Sequence, residues 1–216
     1  ASGARRLLLV AGSGSLRIGG KAGITNVTIR GKACASSPSL PEDIVLTARR
    51  DGGDVVVDAN NRDRDFDWRG MGENQYARLD LIVEVPARLA AEIHDGSGSI
   101  ELSNLGAVDL EDGSGEVVAD NIHGDMNIED GSGSVRLVDV AGRVRIEDGS
   151  GEIELRNVTG TIDIDDGSGE IDIATAGNSI RITDGSGGID VRDVNGDFVV
   201  TDGGSGRIDY DNEKGR

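Results

Sequence analysis

Apolar and polar residues alternate in short runs from residue 95 onward, and glycine-rich turns separate the runs. Glu152–Arg156 reads polar, apolar, polar, apolar, polar, and the same pattern returns nine residues later in Thr161–Asp165. An i, i+2 alternation is typical of a β-strand that buries one of its two faces. The pattern therefore predicts pairs of short strands, each with its apolar side chains turned toward a common core.

The alternation belongs to an internal repeat of about 18 residues. Asp-Gly-Ser-Gly begins at Asp95, Asp112, Asp130, Asp148, Asp166 and Asp184, and it returns as Asp-Gly-Gly-Ser-Gly at Asp202. Each unit splits into two nine-residue halves, with Gly at the fourth position of each half and apolar residues at the sixth and eighth in most copies. One such unit cannot bury its apolar face alone, so the units are expected to stack.

The predicted fold is all-β: a parallel β-solenoid, or β-helix, of 18-residue coils with two strands each. Five inward positions recur per coil, and the last copies of four of them are Phe198, Val200, Ile208 and Tyr210. Short crossovers between parallel strands favour a right-handed path. An antiparallel meander with Asp-Gly-Ser-Gly hairpins is the alternative, but a meander gives no reason to repeat one corner at every second turn.

The N-terminal third differs from the rest of the chain. Residues 11–19 and 53–58 resemble degenerate half-repeats, and a strand is predicted over 79–85, where Pro86 stops it. The sequence predicts three parts: a β-rich N-terminal cap with degenerate first coils over 1–94, regular solenoid repeats over 95–210, and a disordered tail over 211–216. Because an open solenoid end exposes unpaired strand edges, oligomerisation through an uncapped C-terminal end is also predicted.

Charge is distributed unevenly and limits the classes of partner. The net charge is −18; residues 1–94 carry 13 Lys/Arg against 12 Asp/Glu, whereas residues 95–216 carry 9 against 28. A surface this acidic repels nucleic acid and anionic lipid and attracts cations and basic surfaces. No apolar stretch is long enough for direct membrane insertion. Cys34 is the sole cysteine, so the chain itself offers no disulfide pair.

The Gly-Ser-Gly corners, the alternating strands and the lead-in Val85-Pro86-Ala87 resemble those of a known family. They are similar to the bacterial adhesin-like domains of unknown function, whose members are exported or envelope-associated β-solenoids. The resemblance extends over about residues 5–210 and implies a periplasmic, extracellular or cell-surface location. It implies no enzymatic activity and supplies no catalytic residues. This chain departs from the family by placing Asp before most Gly-Ser-Gly corners.

The paired acids of the corners are candidate metal ligands. They are Glu111, Asp112, Glu129, Asp130, Glu147, Asp148, Asp165 and Asp166. Stacking would place like carboxylates about 5 Å apart, and a hard cation such as Ca²⁺ would relieve their repulsion. The calcium-binding β-roll repeat carries an Asp where these repeats have Ile or Val, so sites of that type are not expected. The alternative is that each Asp caps its own turn while the neighbouring acid is solvated.

A second candidate site is the segment from Asn61 to Tyr76, which holds three of the five aromatic residues. Phe66, Trp68, Arg69 and Tyr76 are candidate partner-binding residues, because aromatic rings beside Arg are good interface anchors. The alternative is that these rings fold down and close the end of the solenoid.

No catalytic arrangement is recognisable, so the chain is predicted not to be an enzyme and to need no cofactor. The two histidines, His94 and His123, lie in no triad or metal-ligand spacing, and the serine of each corner is interpreted as a turn residue. A β-helical polysaccharide lyase or hydrolase would need exposed aromatic side chains to bind sugar rings, and the only aromatic residues of the coils, Phe198 and Tyr210, are at predicted inward positions. The predicted function is a structural or adhesin-like envelope module that meets a protein or cell-surface partner. The alternative is a module that binds a divalent cation or a basic partner, and so regular a repeat is also compatible with an artificially regularised scaffold.

Overall fold

The chain folds into two long β-sheets that face each other across a narrow apolar core. A computed structural model describes residues 3–36, 45–59 and 77–212. The strands are β1 (Arg6–Ala11), β2 (Leu16–Lys21), β3 (Thr28–Ala35), β4 (Thr47–Asp51), β5 (Asp54–Ala59), β6 (Ala77–Pro86), β7 (Ala90–Asp95), β8 (Gly98–Ser103), β9 (Val108–Asp112), β10 (Gly115–Ile122), β11 (Met126–Asp130), β12 (Gly133–Val140), β13 (Val144–Asp148), β14 (Gly151–Val158), β15 (Ile162–Asp166), β16 (Gly169–Ala176), β17 (Ile180–Asp184), β18 (Ile189–Val194), β19 (Phe198–Asp202) and β20 (Ile208–Asp211). Within these residues, no helix is long and apolar enough to cross a membrane.

Each sheet contains ten strands in a fixed order. Sheet I runs β19-β17-β15-β13-β11-β9-β7-β1-β5-β4, and sheet II runs β20-β18-β16-β14-β12-β10-β8-β2-β6-β3. A coil consists of one strand of sheet I followed by one strand of sheet II. Ten strands spaced by about 4.8 Å make a rod roughly 45 Å long.

The coils pair in parallel and in register, which confirms the predicted solenoid and excludes the meander. Met126 of β11 pairs with Val144 of β13, one repeat later, and β10, β12, β14 and β16 pair in the same way on sheet II. Among the described strands, the two antiparallel pairs are β3 with β6 and β4 with β5. The handedness of the path stays a prediction.

The predicted inward columns form the core. One repeat of these columns lies on β14 and β15, and its five buried aliphatic side chains are Ile153, Leu155, Val158, Ile162 and Ile164. The prediction was wrong for the last coil, where Ile208 is 44% exposed and Tyr210 is 46% exposed. Their register with β18 is retained, but no described coil lies above them, so one side of each residue meets solvent.

Glycine at the fourth position of each corner is required by the close approach of successive coils. Gly151 has a φ of 155°, and a Cβ there would lie 1.4 Å from the carbonyl oxygen of Gly133 in the coil below. The same overlap recurs at Gly115, Gly133, Gly169 and Gly187, with distances of 1.5–1.7 Å. Any side chain at this position would force two coils apart and break their hydrogen bonds.

The opposite corner turns through a left-handed residue that is not glycine. The non-glycine residues with φ between 55° and 63° are Arg88, Asn104, Asn121, Asp139, Asn157, Thr175 and Asp193. Asn and Asp tolerate this conformation better than other residues with a side chain. Their side chains also join successive coils, since Asn121 Nδ2 donates to Asn104 Oδ1 at 2.7 Å and Asn157 Nδ2 to Asp139 Oδ1 at 2.9 Å.

The order of the N-terminal strands within each sheet differs from their order along the chain. Strand β1 lies between β5 and β7, and β2 lies between β6 and β8. The coil nearest the N-terminus of the chain is therefore inserted between two later coils, and the antiparallel strands β3 and β4 close that end of the rod. Both predicted degenerate half-repeats fall on coils, residues 11–19 on β2 and its corner and residues 53–58 on β5.

Solenoid pairing crosses the predicted boundary at residue 94, which falls inside β7. Strand β7 pairs in register with β1 on one side and with β9 on the other. The predicted strand over 79–85 is confirmed as part of β6, whose last residue is Pro86. Of the predicted tail, Asp211 ends β20 and Asn212 Nδ2 donates to the carbonyl oxygen of Val194 at 2.9 Å. Residues 213–216 lie outside the described residues.

Candidate functional site: the acidic corners

The two acids of each corner lie on opposite faces of sheet I. In β13, Glu147 is exposed on the outer face and Asp148, the next residue, is buried against the core. The same division holds for Glu111 and Asp112 in β9. Because successive side chains of a strand point to opposite faces, the eight predicted metal ligands form two separate columns instead of one.

The outer column is exposed and poor in counter-charges; we call it the acidic column, and it consists of Glu111, Glu129, Glu147 and Asp165. These residues pair directly from strand to strand along β9, β11, β13 and β15. Arg145 contacts Glu147 from the same strand. At one end His94 Nδ1 lies 2.7 Å from Glu111 Oε2, and this hydrogen bond is the main cause of a raised pKa of His94.

The inner column is buried, and we call it the aspartate ladder. It contains the six buried polar or charged side chains found among the described residues: Asp95, Asp112, Asp130, Asp148, Asp166 and Asp184. Each has an exposed fraction of 9% or less. Asp202 does not extend the ladder, because its strand bulges after Val200 and it is exposed.

One carboxylate oxygen caps the turn in five ladder residues, as the alternative interpretation of the corners predicted: Asp112, Asp130, Asp148, Asp166 and Asp184. Asp148 Oδ1 accepts the backbone N–H of Ser150 at 3.1 Å, and Asp166 Oδ1 accepts that of Ser168 at 3.1 Å. The corner serines thus act as turn residues. The second oxygen, Oδ2, is buried without a hydrogen-bond partner in Asp112, Asp130, Asp148, Asp166 and Asp184.

Burial changes the acidity of the ladder. Desolvation raises the pKa of Asp112 to about 6 and that of Asp166 to about 6, and the neighbouring ladder residues Asp130 and Asp148 add to these shifts. Desolvation also raises the pKa of Asp130, Asp148 and Asp184. Hydrogen bonds from the corner backbone oppose the shifts without cancelling them.

Sequence reasoning missed the burial of the ladder, although the signal was present in the alternation. In β9, Val108 and Leu110 point inward, so Asp112 two residues later must do the same. The whole motif Asp-Gly-Ser-Gly was interpreted as a turn. The strand alternation was therefore not extended to the Asp of the motif, which is the last residue of the strand.

The outer face of sheet II carries paired charges. Arg136 contacts Glu154; Arg156 Nε lies 2.6 Å from Glu154 Oε1, and its Nη2 lies 3.3 Å from Asp172 Oδ2. Arg192 Nη2 reaches the same Asp172 at 2.9 Å. This network links β12, β14, β16 and β18 through the side chains of Arg136, Glu154, Arg156, Asp172 and Arg192.

Cation binding by the corners stays a prediction. Over the described part of the chain, no group of three or more His, Cys, Asp or Glu side chains converges as metal ligands would. The predicted partner-binding residues Phe66, Trp68, Arg69 and Tyr76 lie outside the described residues, so the interpretation of the segment from Asn61 to Tyr76 also stays a prediction.

Comparison with known proteins agrees with this architecture. The chain is a parallel two-sheet β-solenoid, and residues 23–211 match the model of the Toastrack DUF4097 family, to which the chain belongs. A solved structure of a proposed cell adhesion protein from Clostridium sporogenes is similar at 16% identity and a TM-score of 0.37, over 98% of this chain and 94% of that chain. No curated protein matches the chain. The predicted resemblance to a β-solenoid family of unknown function is confirmed.

Proposed function

We propose that this chain is a non-enzymatic structural module of the bacterial cell envelope, a rigid adhesin-like rod that displays charged side chains to a partner. The observation that carries the proposal is the acidic column, in which four carboxylates from successive coils stand in register on one outer face. A spacing of about 4.8 Å between them follows from strand pairing.

Rigidity supports a display role. Strands of every coil are hydrogen-bonded to strands of neighbouring coils in both sheets, and the corners add further bonds between coils. For example, Gly149 N donates to Asp130 O at 3.0 Å and Gly151 N to Ser168 O at 3.0 Å. Positions on the outer faces are therefore held at fixed separations, which favours contact with an extended, positively charged surface.

The envelope setting rests on the family resemblance of the Gly-Ser-Gly corners and of Val85-Pro86-Ala87. It is tested by treating intact cells of the producing bacterium with protease and detecting the protein with an antibody. We expect cleavage in cells whose outer layer has been made permeable, or in untreated cells if the rod is on the surface. Protection until the cytoplasm is opened would overturn the envelope assignment.

Display is tested with beads coated with the chain and passed over a layer of bacterial cells under flow. We expect retention by the unaltered chain and a loss of most of it when the acidic column is neutralised by Glu111→Gln, Glu129→Gln, Glu147→Gln and Asp165→Asn. The control neutralises four exposed carboxylates on sheet II, by Glu116→Gln, Asp120→Asn, Glu152→Gln and Glu170→Gln. Equal loss in both variants would mean that net charge alone, and not the column, holds the beads.

Divalent-cation binding at the corners is the second candidate function, favoured by the scarcity of counter-charges along the acidic column. Thermal melting in EDTA and then in millimolar Ca²⁺, at constant ionic strength, tests it. A rise of several degrees that disappears when the acidic column is neutralised would support true cation sites. An unchanged melting temperature would leave the column as a solvated face.

A further inference from the structure

The aspartate ladder presents a row of carboxyl groups to an apolar core. Asp184 is 0% exposed and Asp166 is 2% exposed, although aspartate is among the residues least often buried. Strand pairing puts Asp112 opposite Asp130, Asp130 opposite Asp148, and so on through Asp184. Equivalent side chains are therefore separated by about one strand spacing of 4.8 Å.

The hydrogen bonding of these carboxyls satisfies only half of what an ionised group requires. Oδ1 of Asp130 and of Asp184 accepts the N–H of Ser132 at 3.2 Å and of Ser186 at 3.0 Å. The matching Oδ2 atoms are buried and have no partner. A buried ionised oxygen without a donor or counter-ion is very costly, whereas a neutral carboxylic acid leaves a much weaker group unpaired.

Among the residues that the structure describes, no Lys, Arg or His side chain is buried in the core. Across the core, sheet II presents aliphatic side chains such as Val117, Val135 and Ile153. The acidic groups next to the ladder on the outer faces and past the corners are Glu111, Glu129, Glu147, Asp165, Glu116, Glu152, Glu170 and Asp202. The bases on the outer face of the ladder strands are His94, Arg145 and Arg181. His94 and Arg145 contact the outward acids Glu111 and Glu147. Ladder neighbours therefore reinforce one another in favouring the neutral form.

The chain itself shows that the corner forms without this carboxyl. Val10 of β1 pairs with His94 of β7. The next residues on the two strands are Ala11 and Asp95, so Ala11 occupies the ladder position in the coil below Asp95. Ala59 pairs with Ala11 and occupies the position in the coil below that. The coil that contains Ala11 still turns through Gly14 with a φ of 128°, as the later coils do at their fourth-position glycine. An acid at this position is therefore an added property of the later coils.

We propose that the aspartate ladder is a proton-binding site, a row of carboxyls that are protonated in the folded rod at mildly acidic pH, so that folding takes up protons there and such surroundings stabilise the rod. The raised pKa values of about 6 for Asp112 and Asp166 agree with this assignment. The inference stands apart from display by the acidic column, because it concerns side chains on the opposite face of the same strands.

The direction of the pH effect follows from linkage between protonation and folding. A carboxyl whose folded pKa lies above its unfolded value of about 3.9 stabilises the fold fully below pH 4 and loses that contribution as the pH rises through the folded pKa. With a folded pKa of about 6, the loss falls between pH 4 and 6. Across that window the unfolding equilibrium constant rises by up to about a hundredfold for each such carboxyl.

The experiment compares the full chain with two variants on the same three strands, by urea unfolding from pH 4.5 to 8 in EDTA. The inward variant is Asp130→Asn, Asp148→Asn and Asp166→Asn, which keeps the turn-capping oxygen and imitates the protonated acid. The outward variant is Glu129→Gln, Glu147→Gln and Asp165→Asn, which removes the same charge from the adjacent residues. We expect the unaltered chain to lose stability from pH 4.5 to 6.5, the inward variant to lose much less, and the outward variant to keep most of the dependence.

Carbon-13 labelling of the aspartate carboxyls gives a second measurement on the unaltered chain, which needs no variant to fold. Carboxyl signals that titrate near pH 6 are expected for Asp112 and Asp166. The signal of Asp166 should be absent from the inward variant, and the signal of Asp112 should remain. Stability that is flat or rises from pH 4.5 to 6.5, or ladder carboxyls that titrate below pH 4, would overturn the proposal. A third result would also overturn it: 1 mM Ca²⁺ at pH 8 stabilises the unaltered chain and the outward variant but not the inward variant. The ladder would then be an ionised cation site.

Discussion

At the residue scale, the rod depends on positions where only one kind of side chain fits. The fourth-position glycines are such positions, because the carbonyl of the coil below occupies the space where their Cβ would be. The left-handed residues of the opposite corner are a second set, and there Asn and Asp add hydrogen bonds between coils.

Two adjacent glycines give a direct test of the close approach. A Cβ at Gly187 would lie 1.5 Å from the carbonyl oxygen of Gly169, whereas a Cβ at Gly188 would meet nothing within 4 Å. We expect Gly187→Ala to destabilise the fold by at least about 3 kcal/mol, since both backbone strain and separation of the coils oppose it. Gly188→Ala should change stability by less than about 1 kcal/mol. Similar losses in urea unfolding of the two variants would contradict this explanation.

Thr175 is an exception among the left-handed residues of the second corner. Its φ is 63°, a conformation that is strained for a β-branched side chain and easily adopted by Asn. We expect Thr175→Asn to stabilise the rod by about 1 kcal/mol. The same change at the exposed residue Thr161, which has no positive φ, should have little effect on the melting temperature. A destabilised Thr175→Asn would show that the threonine side chain makes contacts that outweigh the strain.

At the element scale, strands of sheet I such as β9 and β13 place two acids that are adjacent in sequence in different environments, one in solvent and one in the core. An acid that faces outward meets water and in some coils a base, whereas an inward acid such as Asp148 accepts one backbone N–H of its own turn and otherwise lies in the apolar core. Side chains that join neighbouring strands are the features most easily tested at this scale, and His94 of β7 with Glu111 of β9 is the clearest case.

The pH dependence of this pair has a defined sign. The hydrogen bond to Glu111 raises the pKa of His94, so the contribution of the pair is complete below the unfolded pKa of about 6.5 and is lost as the pH rises through the folded pKa. An NMR titration should show the pKa of His94 falling in Glu111→Gln. The control is Glu129→Gln, one coil further along the acidic column. A His94 midpoint that is the same in all three proteins would rule out this hydrogen bond in solution.

The charge network of sheet II should matter little for stability. Arg156 joins Glu154 and Asp172 across β14 and β16, but its side chain is partly exposed. Exposed ion pairs contribute less than about 1 kcal/mol and weaken in salt. We therefore expect Arg156→Gln to cost less than that in 0.05 M NaCl and almost nothing in 1 M NaCl, measured by urea unfolding. A loss that is large and independent of salt would indicate a packing role for the arginine side chain.

The period of 18 residues and the i, i+2 alternation were enough to predict the coils, their parallel pairing and most of the core. They were not enough for the last coil, because the exposure of Ile208 and Tyr210 depends on what lies above them and not on their own pattern. The ladder was mistaken for part of one acidic site because the motif Asp-Gly-Ser-Gly was treated as a turn throughout. The position of β1 between β5 and β7 could not be predicted, since the sequence of a coil does not indicate which coils will be its neighbours in the stack.

At the scale of the whole molecule, the two ends of the rod differ. The antiparallel strands β3 and β4 lie at one end, while β19 and β20 each present an unpaired edge among the described strands at the other. Val199, Ile208 and Tyr210 are exposed there, and the ring of Tyr210 stacks on Phe198 with centroids 4.9 Å apart. Unpaired edges with exposed apolar side chains favour association with another strand.

End-on association is the expected result for this 216-residue chain. Sedimentation velocity over a range of concentrations should show self-association that Ile208→Lys weakens, because the charge lies on the open edge. Ile82→Lys is a matched control, since Ile82 is 43% exposed on β6, which is paired on both sides and lies next to the terminal strand β3, far from β20. A chain that stays monomeric at all concentrations, or an equal effect of both substitutions, would contradict association through this end.

The insertion of the β1–β2 coil between two later coils has a mechanical consequence. A pull on the last described coil would detach it from a single neighbour, so coils could unzip from that end one after another at low force. A pull on β1 would act on a strand bonded on both sides, to β5 and to β7, and would have to shear two rows of hydrogen bonds together. The rod is thus anchored more firmly through its first strand than through its last, and a load carried from end to end would be released from the β20 side.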